Sequence, residues 1–270
     1  MCIVSGPVAN VNTTKLFAAR SANGKRQLTV YSNKVSTHIA NNIMILAVPN
    51  PTTIKFHDLT NYAKLFTDLE NSFPKSRSFS LEGDMYLSKG EGRLKVHEVG
   101  SYQASIANNL NDLNRLDRSL FYVDDEVIMF LTNTYKSYAN IGFVICRLKQ
   151  GNHEYHPFAY SHDIHSSNKL FIPTKHYHKT SSFEGSFGLF GDFMPITSNS
   201  HDMISDDWDH EIYVMNDKIT RVANDLKGTA RTTSHLAIDK SKIDFELEPF
   251  KELSKLRLEG NHLNTDILVI

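Results

Sequence analysis

Only two cysteines, Cys2 and Cys146, occur in the 270 residues, and only one tryptophan, Trp208. Two cysteines cannot build the disulfide framework of a small secreted scaffold, so a reducing compartment is expected. Charge of one sign is also lacking: 29 Lys and Arg stand against 30 Asp and Glu, a formal net charge of −1. A nucleic-acid binder shows a basic excess or stripe, and neither is present, so no nucleic-acid partner is expected. No polybasic anchor is visible, and no stretch approaches the roughly 20 apolar residues of a membrane span. Met1 to Pro7 lack the charged start and apolar run of a secretory signal, which points to an intracellular protein. Phosphate-binding glycine loops, a nucleophile elbow, a kinase signature, His-Glu-x-x-His and Cys-x-x-Cys are all missing.

The composition is that of an ordinary folded domain, 40% hydrophobic and 22% charged. Lys15 to Arg20 and Arg26 to Tyr31 read as two strands around turn residues 21–25, hence a hairpin. The apolar run Ile43 to Val48 reads as a buried strand ended by Pro49-Asn50-Pro51. Tyr62, Leu65, Phe66, Leu69 and Phe73 fall on one face of a helix over 59–72, with Pro74 at its end. Leu110, Leu113 and Leu116 suggest a second helix over 107–118. Asp124 is the expected N-cap of a third over 124–138, with Val127, Phe130, Leu131 and Tyr135 inward. Strands are expected at 94–99, 141–148, 155–162, 169–178 and 211–214. Helices are expected at 218–227 and 249–258, and an apolar strand or docking tail at 267–270. The fold expected is α+β: a mixed or antiparallel sheet with three packed amphipathic helices, a β-rich second half and a helical C-terminal extension. The division expected is 1–215, interrupted by an insertion at 179–209, and 216–270.

Three groups of residues carry chemistry. Eight of the thirteen histidines lie between positions 153 and 210. His176 and His178, two apart on an expected strand, would share a face; with His162, Asp207 and His210 they are candidate ligands for a divalent metal such as zinc or iron. The same histidines read structurally are polar strand residues with acidic partners. Cys2 is a candidate catalytic nucleophile, since methionine removal would let its α-amine serve as base; its bland reading is a small apolar core residue. Phe183, Phe187, Phe190, Phe193 and nearby Trp208 form a candidate partner-binding group. Each phenylalanine costs roughly 1.5–3 kcal/mol when left fully in water, so they are expected to be buried on their own domain or on a partner.

The motifs Val48-Pro49-Asn50-Pro51 and Glu98-Val99-Gly100-Ser101-Tyr102, with Leu65-Phe66 and Leu170-Phe171-Ile172-Pro173, resemble a domain-of-unknown-function family best populated by secreted bacterial members. The opening Met-Cys-Ile-Val-Ser-Gly-Pro-Val looks like hypothetical proteins of giant DNA viruses. Neither resemblance implies an activity. Together with the missing catalytic motifs they favour an interaction or structural protein, packaged in the virion of a large DNA virus or made for that virus, acting through a protein partner or self-association. Its expected place is then the host cytoplasm or virion, and otherwise the cytoplasm. The alternatives are a metal-dependent enzyme on the 153–210 histidines and an N-terminal-cysteine hydrolase.

Overall fold

Alternation of apolar side chains on both faces of long strands makes this a chain of stacked sheets. The computed structural model describes residues 3–74, 94–100, 102–164, 169–178, 204–217, 219, 222 and 226–269. In chain order the first strands are β1 (Ile3–Val4), β2 (Asn10–Arg20), β3 (Arg26–Thr37), β4 (Ile43–Pro49) and β5 (Lys55–His57). Helix α1 (Leu65–Asn71) precedes β6 (Val96–Val99) and β7 (Tyr102–Ala107). Helix α2 (Asp125–Tyr135) is followed by β8 (Ile141–Arg147), β9 (Gly151–Glu154), β10 (Phe158–Asp163) and β11 (Leu170–Ile172). The last strands are β12 (Ile204–Met215), β13 (Thr229–Thr233), β14 (Leu253–Leu263) and β15 (Ile267–Val269).

A five-stranded sheet runs β1-β4-β8-β7-β6, and a larger one runs β13-β14-β12-β2-β3-β10-β5, with β9 on β3. Among the described strand pairs only β2–β12 is parallel, with Leu16 opposite Ile212. β11 and β15 form a separate antiparallel pair in which Phe171 faces Leu268.

The strand period of two divides each sheet's side chains between two cores. Leu16, Ala18, Tyr31, Leu46, Val144, Phe158, Ile212 and Leu256 fill the space between the sheets. Ile43, Ile45, Phe143 and Ile145 face the other way and are covered by Val127, Leu131 and Tyr135 of α2. Phe17, Val30, Tyr213 and Leu253 face outward from the large sheet and are covered by Leu65 and Leu69 of α1 and by Ile238 and Ile243.

The expectation of three packed helices and a helical C-terminal extension is overturned. Among the described residues the α-helices are α1 and α2, and within 218–227 Val222 is helical, its carbonyl accepting from the Leu226 amide at 3.0 Å. The stripe Leu110, Leu113, Leu116 has a strict spacing of three, the period of a 3₁₀ helix, and Leu110–Arg115 is one, capped by Asn109 through its side chain on the Asp112 amide. The 59–72 stripe is buried as expected, but it is shared between a 3₁₀ turn, Thr60–Tyr62, and the shorter α1. The stretch 249–258 is no helix: Leu253–Leu263 is a strand between β12 and β13. Leu256 and Leu258 enter one core and Leu253 the other, and this two-sided burial gives the apolar spacing that resembles a helix. Most of 218–227 lies outside the described residues, as does 179–203; Ile204–Asp209 belongs to β12.

The Glu-Val-Gly-x-Tyr motif is the β6–β7 hairpin, with Val99 opposite Tyr102. Gly100 has φ +57°, and a Cβ there would lie 2.5 Å from the His156 ring. The Tyr102 hydroxyl donates to the His156 carbonyl at 3.0 Å, so the motif locks this hairpin onto the chain just before β10.

Candidate functional site

Among the described residues, four large apolar side chains are left in water. Tyr122, Met129, Tyr138 and Leu268 are between 40% and 48% exposed. Three of them lie on or beside α2, and the fourth is on β15. Helix α2 starts where its sequence says it should: Asp124 Oδ1 accepts from the Glu126 amide at 2.9 Å, and Asp125 and Glu126 face the positive helix end. The Asp124 amide donates to Ser5 Oγ at 2.7 Å, tying the helix start to the chain after β1.

Residues 173–178 run beside this helix. Tyr177 stacks on Phe130 with ring centroids 4.8 Å apart, and its hydroxyl donates to Glu126 Oε2 at 3.1 Å. The Tyr177 carbonyl accepts from the Val4 amide, joining the segment to β1. Lys175 Nζ sits 5.4 Å from the Tyr135 ring and 5.9 Å from that of Tyr138, cation–π distances. Asp266 closes the unit: it accepts from the Tyr135 hydroxyl at 2.7 Å and from the Lys175 amide at 3.0 Å. Burial pushes the Asp266 carboxyl above the ordinary range, against the opposing pull of Tyr135 and Lys175. Burial likewise raises the Tyr135 phenol, and the carboxylate beside it adds to the rise. The result is a rigid base for the exposed Met129, Tyr138 and Leu268.

Of the described candidate metal ligands, His176 and His178 lie side by side, and His162 and His210 sit on separate strands. His162 is buried on β10, its Nδ1 2.9 Å from the Asp163 carbonyl, and its ring stacks on Tyr160. His176 is buried, and its backbone is held at both ends by Asn264. The His178 ring is stacked 6.0 Å from that of His176. His210 is fully buried on β12, opposite Thr14 and Leu258. Among the described residues no three His, Cys, Asp or Glu side chains come together as a metal-holding group. The side chains of Asp207 and Trp208 lie outside the described residues, as do Cys2, Phe183, Phe187, Phe190 and Phe193. Cys146 is buried in the core between the sheets.

Two polar clusters escape sequence reasoning because their members are far apart in the chain. Lys255, 7% exposed, has Nζ 2.5 Å from Glu70 Oε2 and 2.8 Å from Glu211 Oε1, and the Tyr213 hydroxyl reaches both glutamates. Burial raises the Glu211 carboxyl, but Lys255, Lys15 and Arg257 together outweigh it and hold the group below its ordinary range. The second cluster joins His57 Nε2 to Ser161 Oγ at 2.8 Å, with Arg26 donating to the same oxygen at 3.1 Å. Both His57 and Ser161 are buried, so the pair braces strands and is not an exposed nucleophile.

Among the described residues the fold is β-rich, two large sheets and a two-stranded pair with one helix on each outer face. It is shared with a viral protein: the crystal structure of baculovirus P35 superposes with a TM-score of 0.51 over 99% of each chain, at 12% sequence identity. No family model matches the chain.

Proposed function

We propose that this is a viral protein that works by binding another protein, through the side of the molecule formed by α2, residues 173–178 and β15. The observation that carries the reading is the concentration of exposed large apolar side chains there, Tyr122, Met129, Tyr138 and Leu268, on a base fixed by Asp266 and Lys175. Such side chains lower the free energy when a partner removes them from water, by about 25 cal/mol per Å². The whole-chain likeness to baculovirus P35 supports viral origin, as does the resemblance of the first eight residues to giant-virus proteins. The aromatic group Phe183, Phe187, Phe190, Phe193 and Trp208 is assigned to the same role: Phe183 follows His178 by five positions in the sequence. The place proposed is the host cytoplasm or the virion.

The test is a Met129→Glu, Tyr138→Glu double variant, compared with the parent by sedimentation and by cross-linking mass spectrometry in cells that make the protein. Both changes are at exposed positions, so the melting temperature should hold while self-association or the cross-linked partner is lost. An unchanged set of cross-links would remove this face from consideration. One equivalent of tightly held zinc or iron in the purified protein would favour the metal-enzyme reading instead.

A further inference from the structure

Residues 234–250 cross the outer face of the large sheet as a strap. Ile238 and Ile243 are buried on that face, and Leu236, Phe245, Leu247 and Phe250 pack beside them. The strap is tied down at several points: the Ala237 amide donates to Ser72 Oγ, the Asp239 amide to the Tyr62 hydroxyl, the Ala22 amide to the Glu246 carbonyl and the Glu248 amide to the Arg20 carbonyl. Between these ties the stretch around Asp244 and Phe245 rests on β5, the edge strand of the sheet. Its contacts there are the exposed Lys55–Asp244 ion pair at 3.2 Å and the Phe245 ring, edge-on to His57 at 5.7 Å.

His57 is poorly placed to carry a proton. Arg26 donates to Ser161 Oγ, and in the neutral tautomer whose proton is on Nδ1 the Ser161 hydroxyl donates to His57 Nε2. His57 Nδ1 is buried against the backbone of Asp244 without closing a well-formed hydrogen bond. A proton on Nε2 would turn that nitrogen into a second donor on Ser161 Oγ and strand the serine hydrogen. It would also set a buried cation among Lys55 of β5 and Arg26 of β3. The carboxylates nearby are already engaged: Asp163 of β10 with Arg26 at 2.7 Å, and Asp244 of the strap with Lys55. Burial, reinforced by Lys55 and Arg26 and opposed by Asp244, accordingly holds the imidazole below its ordinary range.

We propose that protonation of His57 releases residues 243–247 of the strap from β5, an acid-operated latch that uncovers the apolar face beneath. An imidazolium seeks water and a free acceptor, and the nearest way to both is through the Asp244–Phe245 contact. Release opens the Ala22–Glu246 hydrogen bond, while the far end of the strap stays held by the Glu248 amide on the Arg20 carbonyl at 3.1 Å.

Hydrogen exchange of the full chain between pH 7.5 and pH 5.0, corrected for the intrinsic exchange rate, tests this. Amides of 243–247 should lose about ten-fold protection in the parent and less than about two-fold in His57→Asn. Equal losses in both proteins, or none in the parent, would overturn the latch. Should His57→Asn fail to fold, the parent still decides it by NMR titration. The His57 ring and the 243–247 amides should then shift with one common midpoint, and strap amides that ignore the ring's midpoint would refute the proposal.

Discussion

Lys255 and Glu211 pair at 2.8 Å beneath the edge of α1, and Glu70 of that helix reaches the same ammonium. The pair sits where β12 and β14 turn charged side chains toward the face that α1 covers, so it links helix to sheet where the apolar contacts end. Lys255→Ala should destabilise the protein by about 1–3 kcal/mol, because Glu211 loses its most buried partner and keeps Arg257 at 2.7 Å and Lys15 at 3.9 Å. Glu70 is 48% exposed, and Glu70→Ala should cost no more than about 1 kcal/mol. Urea denaturation of the two variants checks the contrast.

Glu211 is held below the ordinary carboxylate range, so it binds a proton less readily folded than unfolded. Its contribution is present above the unfolded pKa and is lost as pH falls through the lowered folded one. Stability of the parent should therefore fall in acid more steeply than that of Glu211→Gln, measured by denaturation at stepped pH values.

Asp266 is displaced the other way, upward by burial, so its contribution is full below the unfolded pKa and is lost as pH rises through the folded one. Asp266→Asn removes the charge and leaves one acceptor oxygen, so it keeps one of the two hydrogen bonds, from the Tyr135 hydroxyl or from the Lys175 amide. The stability difference, variant minus parent, should move in favour of the variant between pH 4 and pH 7. A constant difference across that range would count against the burial assigned to this carboxyl.

Met129 and Leu131 stand two residues apart on α2, one exposed and one fully buried under the small sheet. Leu131→Ala should cost about 2–5 kcal/mol, and Met129→Ala no more than about 0.5 kcal/mol. Thermal melts of the two variants distinguish a docked helix from a loosely placed one.

Gly142 packs so closely that an added Cβ would meet the Ala107 carbonyl and the Pro51 ring at 2.5 Å, whereas Gly24 has open space but φ +69°. Gly142→Ala should be destabilised by about 1–3 kcal/mol or more through overpacking. Gly24→Ala should lose about 1–2 kcal/mol from backbone strain alone. Refolded yield and melting temperature report both.

Much of the fold was legible locally. The hairpin of β2 and β3, the buried β4 and β8, the Asp124 cap and the inward Val127, Leu131 and Tyr135 all follow from patterns within a dozen residues, where turn chemistry and periodicity act directly. The assignment of 249–258 to a helix failed because β14 is buried on both faces by partners some 40 positions away, which blurs the period of two. The stripe at 110–116 failed by a single residue of period, three where an α-helix alternates three and four.

The sequence by itself determined a near-neutral composition, several individual strands, the α2 cap and the residue types able to carry chemistry. Only the tertiary structure decided what those residues do. It parted His162 and His210 into different strands, set Lys255 between Glu70 and Glu211, and laid Asp244 against His57. Each of these pairings joins positions tens to nearly two hundred residues apart, and no local spacing encodes them. They exist because strand register and the packing of the outer faces bring those side chains into one low-dielectric place, where a charge must find a partner.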